Sequence, residues 1–322
     1  MAIKLSFCIP TYNRGAYLGR LIESIASQWT DEVEIVISDN ASTDNTEDVI
    51  REYQRKYPRI IYEKAEMNMG ADKNYLRAVE LANGDYCWLF GSDDYLAEGA
   101  IERLLYEIEE KHKDIYLTTR LEKSGEKKWL DIDKDNEWNL SNKNDYINYL
   151  QHVKTLGGLF SYLSSIIVRR KAWMKTETDF SYIGTAYAHV QKIVSMIKDG
   201  NGKIMYINKP FPIVGDGGDS FSVDGHLKRI LIDLDGYKKL ADDYYGNDVD
   251  VYSSFLNVMK YEHDFSFMKF FRWSGHFNFY EQRQLYNALI DGYGVNRNLL
   301  YGIMIISPIA HVMLKIKSYL KF

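Results

Sequence analysis

The first hundred residues alternate short apolar runs with helix-patterned segments, and this alternation constrains the fold more than any other feature. "KLSFCIP" and "EVEIVISDN" read as the first two strands. Between them, "GAYLGRLIESIASQ" sets Leu18, Leu21, Ile22 and Ile25 at helical spacing. A second helix starts in "STDNTEDVIREYQRKY", where Thr43 or Asp44 can cap and Glu47 and Asp48 fall in the first turn. "RIIYEKA" is a third strand, "ADKNYLRAVELANG" a third helix closed by Gly84, and "DYCWLF" a fourth strand. Repeated strand–helix–strand units need crossover connections, so the class is α/β with a mainly parallel sheet flanked by helices.

The pattern continues with a helix from Glu98 to Lys111 and the strand "DIYLTTR". The charged "EKSGEKKWLDIDKDNEWNLSNKND" lacks apolar periodicity and reads as an exposed excursion. A helix near Asp145 to Val153, the strand "SSIIVRR", the helical "AYAHVQKIVSMIKDG" and the strand "KIMYINKPFPIV" follow. The Gly-rich "VGDGGDS" reads as a mobile loop, and beyond His226 helical patterns dominate. The chain thus divides into an α/β domain over residues 1–215 and a helical C-terminal region over 216–322.

With 46% hydrophobic residues in 322, the chain can bury a substantial core. A net charge of −5 argues against nucleic acid as a partner, since backbone phosphates select for basic excess. Cys8 and Cys87 sit in strand-like runs and read as buried reduced thiols, which fits the cytosol. The N-terminus lacks the apolar stretch of a signal peptide, so export is not expected. The last segment is apolar from Leu299 to Leu314, carries Pro308, and is followed by Lys315, Lys317 and Lys321. It suits a helix lying in a membrane interface, and equally a core helix.

In open α/β sheets ligands sit outside the carboxyl ends of the strands. Here those ends carry "PTYNR" (Pro10 to Arg14), "SDNASTD" (Ser38 to Asp44), "MNMG" (Met67 to Gly70) and "GSDD" (Gly91 to Asp94). Paired carboxylates at a strand end can hold Mg²⁺ or Mn²⁺ when a diphosphate completes the shell; they can also simply cap the next helix. Asp39, just past the second strand, can accept hydrogen bonds from a ribose or base edge. No G-x-G-x-x-G joins the first strand to the first helix, and no GxxxxGK[ST] exists, so a nicotinamide enzyme and a P-loop NTPase are disfavoured.

Together, "SFCIPTYNR", "VISDNASTDNT" and "NMGADKNYLRAVELANGDYCWLFGSDD" resemble the nucleotide-binding half of family 2 glycosyltransferases with the GT-A fold. The likeness is strong over the first hundred residues, weaker over the next hundred, and closest to bacterial O-antigen and surface-glycan transferases of the abequosyltransferase type. It implies a nucleotide-sugar-binding and catalytic domain in which Pro10, Thr11, Tyr12 and Asn13 line the nucleotide and Asp39 reads the base. Asn68, Asp72 and Lys73 approach ribose or diphosphate in this picture, with Ser92 and Asp93 beside them. "GSDD" falls on the family's D-x-D metal motif, with Gly91 in place of the leading aspartate; Asp93 and Asp94 remain as ligands for Mn²⁺ or Mg²⁺. The catalytic-base slot falls on His189, which can accept a proton near neutral pH or ligate a metal. A lone helix histidine is otherwise a packed core residue.

Asp179, Asp216 and Asp219 are weaker base candidates, Arg169 to Lys171 a weaker diphosphate or anionic-lipid contact, and Trp129, Trp138 and Trp173 stacking surfaces or core. The resemblance implies an inverting, metal-dependent glycosyltransferase moving a sugar from a nucleotide-diphosphate donor to a glycan hydroxyl. A membrane-facing C-terminal region would make a lipid-linked glycan the natural acceptor and the cytoplasmic membrane's inner face the natural location. The alternatives are a sugar nucleotidyltransferase and a catalytically degenerate nucleotide- or glycan-binding module.

Overall fold

The structure, a computed structural model, describes residues 2–217, 225–274 and 276–319, with backbone alone for 309–319. Contacts group the chain into two compact units, Met1–Gly218 and Asp219–Phe322. Gly218, Asp219 and Ser220 of the Gly-rich loop lie outside the described residues.

In the first unit the expected alternation appears as β1 (Leu5–Thr11), α1 (Gly15–Ala26), β2 (Val33–Asp39), α2 (Thr46–Lys56), β3 (Ile60–Lys64), α3 (Ala71–Glu80) and β4 (Tyr86–Leu89). The chain continues through β5 (Tyr95–Leu96), α4 (Ala100–Lys111), β6 (Ile115–Glu122), β7 (Gly125–Lys127), β8 (Asn136–Asn139) and α5 (Lys143–His152). It closes with β9 (Ile166–Arg169), α6 (Arg170–Lys175), α7 (Ala188–Lys198) and β10 (Lys203–Ile213). The sheet order is β3-β2-β1-β4-β9-β6-β10-β5. β3, β2, β1 and β4 run parallel, and β9 enters antiparallel between β4 and β6.

Both faces of the central strands are covered, which is why β1 and β2 are buried along their whole length and read as continuous apolar runs. Phe7, Trp88 and Phe90 stack at the centre, and Leu18, Leu21, Ile22 and Ile25 of α1 close over them in one core. β1 sends one connection to β2 and has β4 as its other neighbour. That reversal of direction leaves a crevice at its carboxyl end.

Two readings change. The third helix ends at Glu80, not at Gly84, which instead packs on β1: a Cβ there would lie 2.6 Å from the Ser6 hydroxyl. The charged excursion is not solvated throughout. Trp129, Leu130, Trp138 and Leu140 are buried, and β8 pairs antiparallel with β10. Its few apolar residues are too widely spaced to show a period, yet they are buried.

The second unit is helical, with α8 (His226–Tyr245), α9 (Val249–Glu262), α10 (Phe267–Ser274), α11 (Phe279–Tyr293) and α12 (Arg297–Tyr319). Asn278 and Glu281 form a capping box at the start of α11, satisfying amides that would otherwise lack partners. Among the described residues no helix is long and apolar enough to cross a membrane.

Candidate active site

The rim is built by side chains that satisfy loop amides of neighbouring strands. Asn13 leaves β1 with φ of 52°, a left-handed conformation that asparagine tolerates. Its amide donates to the Ser42 hydroxyl at 2.8 Å, and its Oδ1 accepts from the Thr43 amide at 2.8 Å. The Gly15 amide at the start of α1 donates to Asp44 Oδ2 at 3.1 Å. Asn13 and Asp44 therefore lock the β1 and β2 loops together.

Asp39 is fully buried, with Oδ1 accepting from the Ser42 amide and Oδ2 from the Tyr62 hydroxyl, each at 2.8 Å. Burial and then the Asp39 charge push the Tyr62 phenol up. Asn68 is likewise occupied: its Oδ1 accepts from Asn40 Nδ2 at 2.8 Å and the Gly70 amide at 2.9 Å. Pro10 and Thr11 are buried in β1, whereas Tyr12 is 44% exposed and Lys73 is exposed on the first turn of α3. The rim's exposed side chains include Tyr12, Asn13, Met67, Asn68 and Lys73, with Asp93 partly exposed beside them.

Asp72, expected near ribose or diphosphate, is committed elsewhere. Its carboxylate is buried and accepts from the amides of Gly184, Ala186 and Ala188 at 2.7, 3.0 and 3.2 Å. Positive φ at Gly184 and Ala186 turns successive amides toward one point, an anion nest that opens α7. Burial raises the Asp72 carboxyl, and the three amides pull it back down.

The two aspartates of "GSDD" part company. Asp94 is buried; its Oδ2 accepts from the Tyr162 and Ser164 hydroxyls at 2.5 Å each, and its Oδ1 from the Gly215 amide at 3.1 Å. Burial raises its carboxyl against these hydrogen bonds. Ser164 also accepts from the Gly91 amide at 2.8 Å, so it holds the strand end from two sides. With both oxygens accepting from protein donors, Asp94, expected as a metal ligand, ties the strand end to Tyr162, Ser164 and Gly215. Asp93 instead keeps a side chain 20% exposed, with its Oδ2 3.8 Å from Arg14 Nη1. The same guanidinium nitrogen donates to the Gly217 carbonyl at 2.9 Å. Ser92 beside them is buried.

Gly215 and Gly217 pass directly over this pair. A Cβ at Gly215 would lie 1.6 Å from the Asp93 carbonyl oxygen, and one at Gly217 2.2 Å from Asp93 Oδ2. Among the described residues no group of three or more His, Cys, Asp or Glu side chains gathers to hold a metal. A carboxylate at a strand end fits a hard cation whose shell is completed by a ligand's own oxygens.

His189, expected as a base or metal ligand and otherwise as a packed core residue, is buried. It is 2% exposed in the first turn of α7, with Nε2 3.1 Å from the Phe160 carbonyl and Tyr75 edge-on at 5.6 Å. Burial lowers its pKa to about 4, so the ring is neutral and donates through Nε2. That tautomer leaves Nδ1 as a buried lone pair that no hydrogen-bond donor among the described residues meets. Of the weaker candidates, Asp216 pairs with Lys123 at 2.8 Å, Asp179 accepts from the Ser181 amide at 2.8 Å, and Trp129, Trp138 and Trp173 are core.

Tyr162 and Ser164 escaped the sequence reading, because only the antiparallel insertion of β9 brings "SYLSS" beside Gly91.

The sequence profile described as "Glycosyl transferase family 2" matches residues 6–175. Abequosyltransferase RfbV of Salmonella typhimurium is 42% identical over 79% of this chain and 79% of its own. A Campylobacter jejuni GalNAc(5)-diNAcBac-PP-undecaprenol beta-1,3-glucosyltransferase is 27% identical over 65% of this chain and 64% of its own. Among solved structures, Staphylococcus aureus TarS 1-349 superposes with a TM-score of 0.65 at 20% identity, covering 96% of this chain and 86% of that one. A Pyrobaculum calidifontis mannosyltransferase, PcManGT, gives 0.54 at 11% identity over 97% and 88%. The order of strands, the rim they create and these likenesses lead to one conclusion: the chain is a glycosyltransferase of family 2 with the GT-A fold.

Proposed function

We propose that this enzyme transfers a sugar, with inversion, from a nucleoside-diphosphate donor to a hydroxyl of a lipid-linked bacterial surface glycan. The observation that carries the reading is the Asp93 carboxylate, 3.8 Å from the Arg14 guanidinium at the carboxyl ends of β1 and β4. The 42% identity to an abequosyltransferase supports the surface-glycan class. The name of the Campylobacter jejuni relative, with its undecaprenol-linked substrate, supports a lipid-linked acceptor. TarS bound to UDP-GlcNAc, and PcManGT bound to GDP-Man and Mn²⁺, support a nucleotide-sugar donor and a divalent cation.

Asp93 would hold Mn²⁺ or Mg²⁺ together with diphosphate oxygens, and the ion when bound supplies neutralising charge for the departing diphosphate. Arg14 adds a fixed cation at the same point, and Tyr12 offers a ring face for the nucleotide. His189 is the proton acceptor in this reading. Its Nε2–H donation to Phe160 fixes the tautomer and leaves Nδ1 able to accept, and contact with the acceptor hydroxyl forms on substrate binding. The helical second unit brings the enzyme to the membrane that carries the acceptor.

Release of nucleoside diphosphate from UDP-, GDP-, CDP- and TDP-sugars, with and without Mn²⁺ and a lipid-linked acceptor, tests the proposal. One donor turning over with dependence on metal and acceptor is the expected result. Binding of a sugar nucleotide without turnover would favour a degenerate binding module, and diphosphate formation from a nucleoside triphosphate a nucleotidyltransferase.

A further inference from the structure

The C-terminal helices carry a charge opposite to the rest of the chain. From Phe265 to Phe322 there are seven Lys and Arg against two Asp and Glu, a net of +5; the residues before have 33 against 43, a net of −10. Within this basic segment α10 is apolar on two sides. Phe270 and Trp273 face the unit's own core. Phe267 and Met268 stand 51% and 57% exposed, with Phe271 stacked on Phe267 at 6.2 Å between ring centroids. Arg272 is exposed on the same helix, and the Lys269 ammonium lies 5.5 Å over the Trp273 ring. The neighbouring helices add to it. Phe279 and Tyr280 in the first turn of α11 are 58% and 81% exposed, and α12, packed on α10, leaves Ile305 and Ile306 at 71% and 62%.

We infer that the outward face of α10, with Phe267, Met268 and Phe271 flanked by Lys269 and Arg272, docks on the surface of an anionic lipid bilayer. Solvent-facing aromatic and thioether side chains lose water contact at the acyl boundary, while the cations remain at headgroup level. Each basic residue near such a surface is attracted by its negative potential. A second copy of the chain is a poorer occupant. A two-fold contact through this face would bury the Lys269 and Arg272 charges of both copies in one desolvated interface. The inference deepens the reading of a membrane-presented acceptor and rests on it only for its purpose.

Sedimentation of the full chain with vesicles tests it, using phosphatidylcholine alone against an equimolar mixture with phosphatidylglycerol. Binding to the anionic vesicles only, weakened by salt, is expected. Replacing Lys269 and Arg272 together by alanine should lower partitioning roughly 30-fold. Changing Phe267 and Met268 together to serine should lower it by about tenfold or more. Circular dichroism and donor turnover on a soluble acceptor should match wild type for both pairs, which separates docking from folding and chemistry. Equal binding to neutral vesicles, no binding at all, or binding unmoved by both pairs overturns the inference. Wild-type dimers that these substitutions dissociate, with no vesicle binding, would assign the face to a second copy instead. None of these outcomes touches the transferase reading, because the assay contains neither donor nor acceptor.

Discussion

His189 makes the stability of this protein depend on pH in a way that can be worked out from its surroundings. Desolvation holds its folded-state pKa at about 4, against 6.5 for the imidazole in an open chain. The folded value is the depressed one, so the contribution is fully present above pH 6.5 and is lost as pH falls toward 4. Within that window the unfolded chain binds a proton that the folded chain refuses. The slope is about 1.4 kcal/mol per pH unit, and the whole window amounts to roughly 3 kcal/mol. His189→Leu removes the titrating group and fills a similar volume. Urea unfolding of both proteins, followed by tryptophan fluorescence at pH values from above 6.5 to about 4, gives the difference directly. Taking the difference cancels the raised carboxyls of Asp72 and Asp94, which the two proteins share. The stability of wild type relative to the variant should fall by roughly 3 kcal/mol across the window. Parallel curves for the two proteins would refute the burial argument.

Three further outcomes follow from particular contacts. Asp72→Ala leaves the Gly184, Ala186 and Ala188 amides without their carboxylate, and should lower the unfolding free energy by about 3 kcal/mol in a denaturant titration; no change would mean that water satisfies these amides. Gly157→Ala would set a methyl 2.1 Å from the Trp129 ring and should cost about 2 kcal/mol, seen as a lower melting temperature; a neutral result would restore the reading of that segment as solvated. Gly215→Ala pushes its loop off the Asp93 backbone, and should cut donor turnover by about a hundredfold; unchanged turnover would show that the loop's path is irrelevant to the site.

The half of the fold made of parallel strands was legible because local periodicity and connection geometry agree there: strands buried on both faces read as unbroken apolar runs. The rim was legible for the same reason, since strand ends are where "PTYNR" and "GSDD" must fall. The division of labour between Asp93 and Asp94 was not legible. It depends on Tyr162 and Ser164, some seventy residues away in sequence, and on which side of β4 the chain later inserts β9. The partners of Asp72 were hidden for a related reason: a carboxylate in the first turn of a helix carries no sign of the amides before α7 that it accepts from. His189 had the expected place in the chain, but the Phe160 turn that covers its ring has no signature in the residues.

The central claim is that Asp93 meets the donor's diphosphate and metal while Asp94 only holds the strand end. Transfer rates and melting temperatures measured side by side for Asp93→Asn and Asp94→Asn, on the donor the panel identifies, test it most directly. The account predicts that Asp93→Asn abolishes metal-dependent transfer at an unchanged melting temperature, whereas Asp94→Asn lowers the melting temperature. An Asp93→Asn enzyme that transfers sugar at the wild-type rate would contradict it.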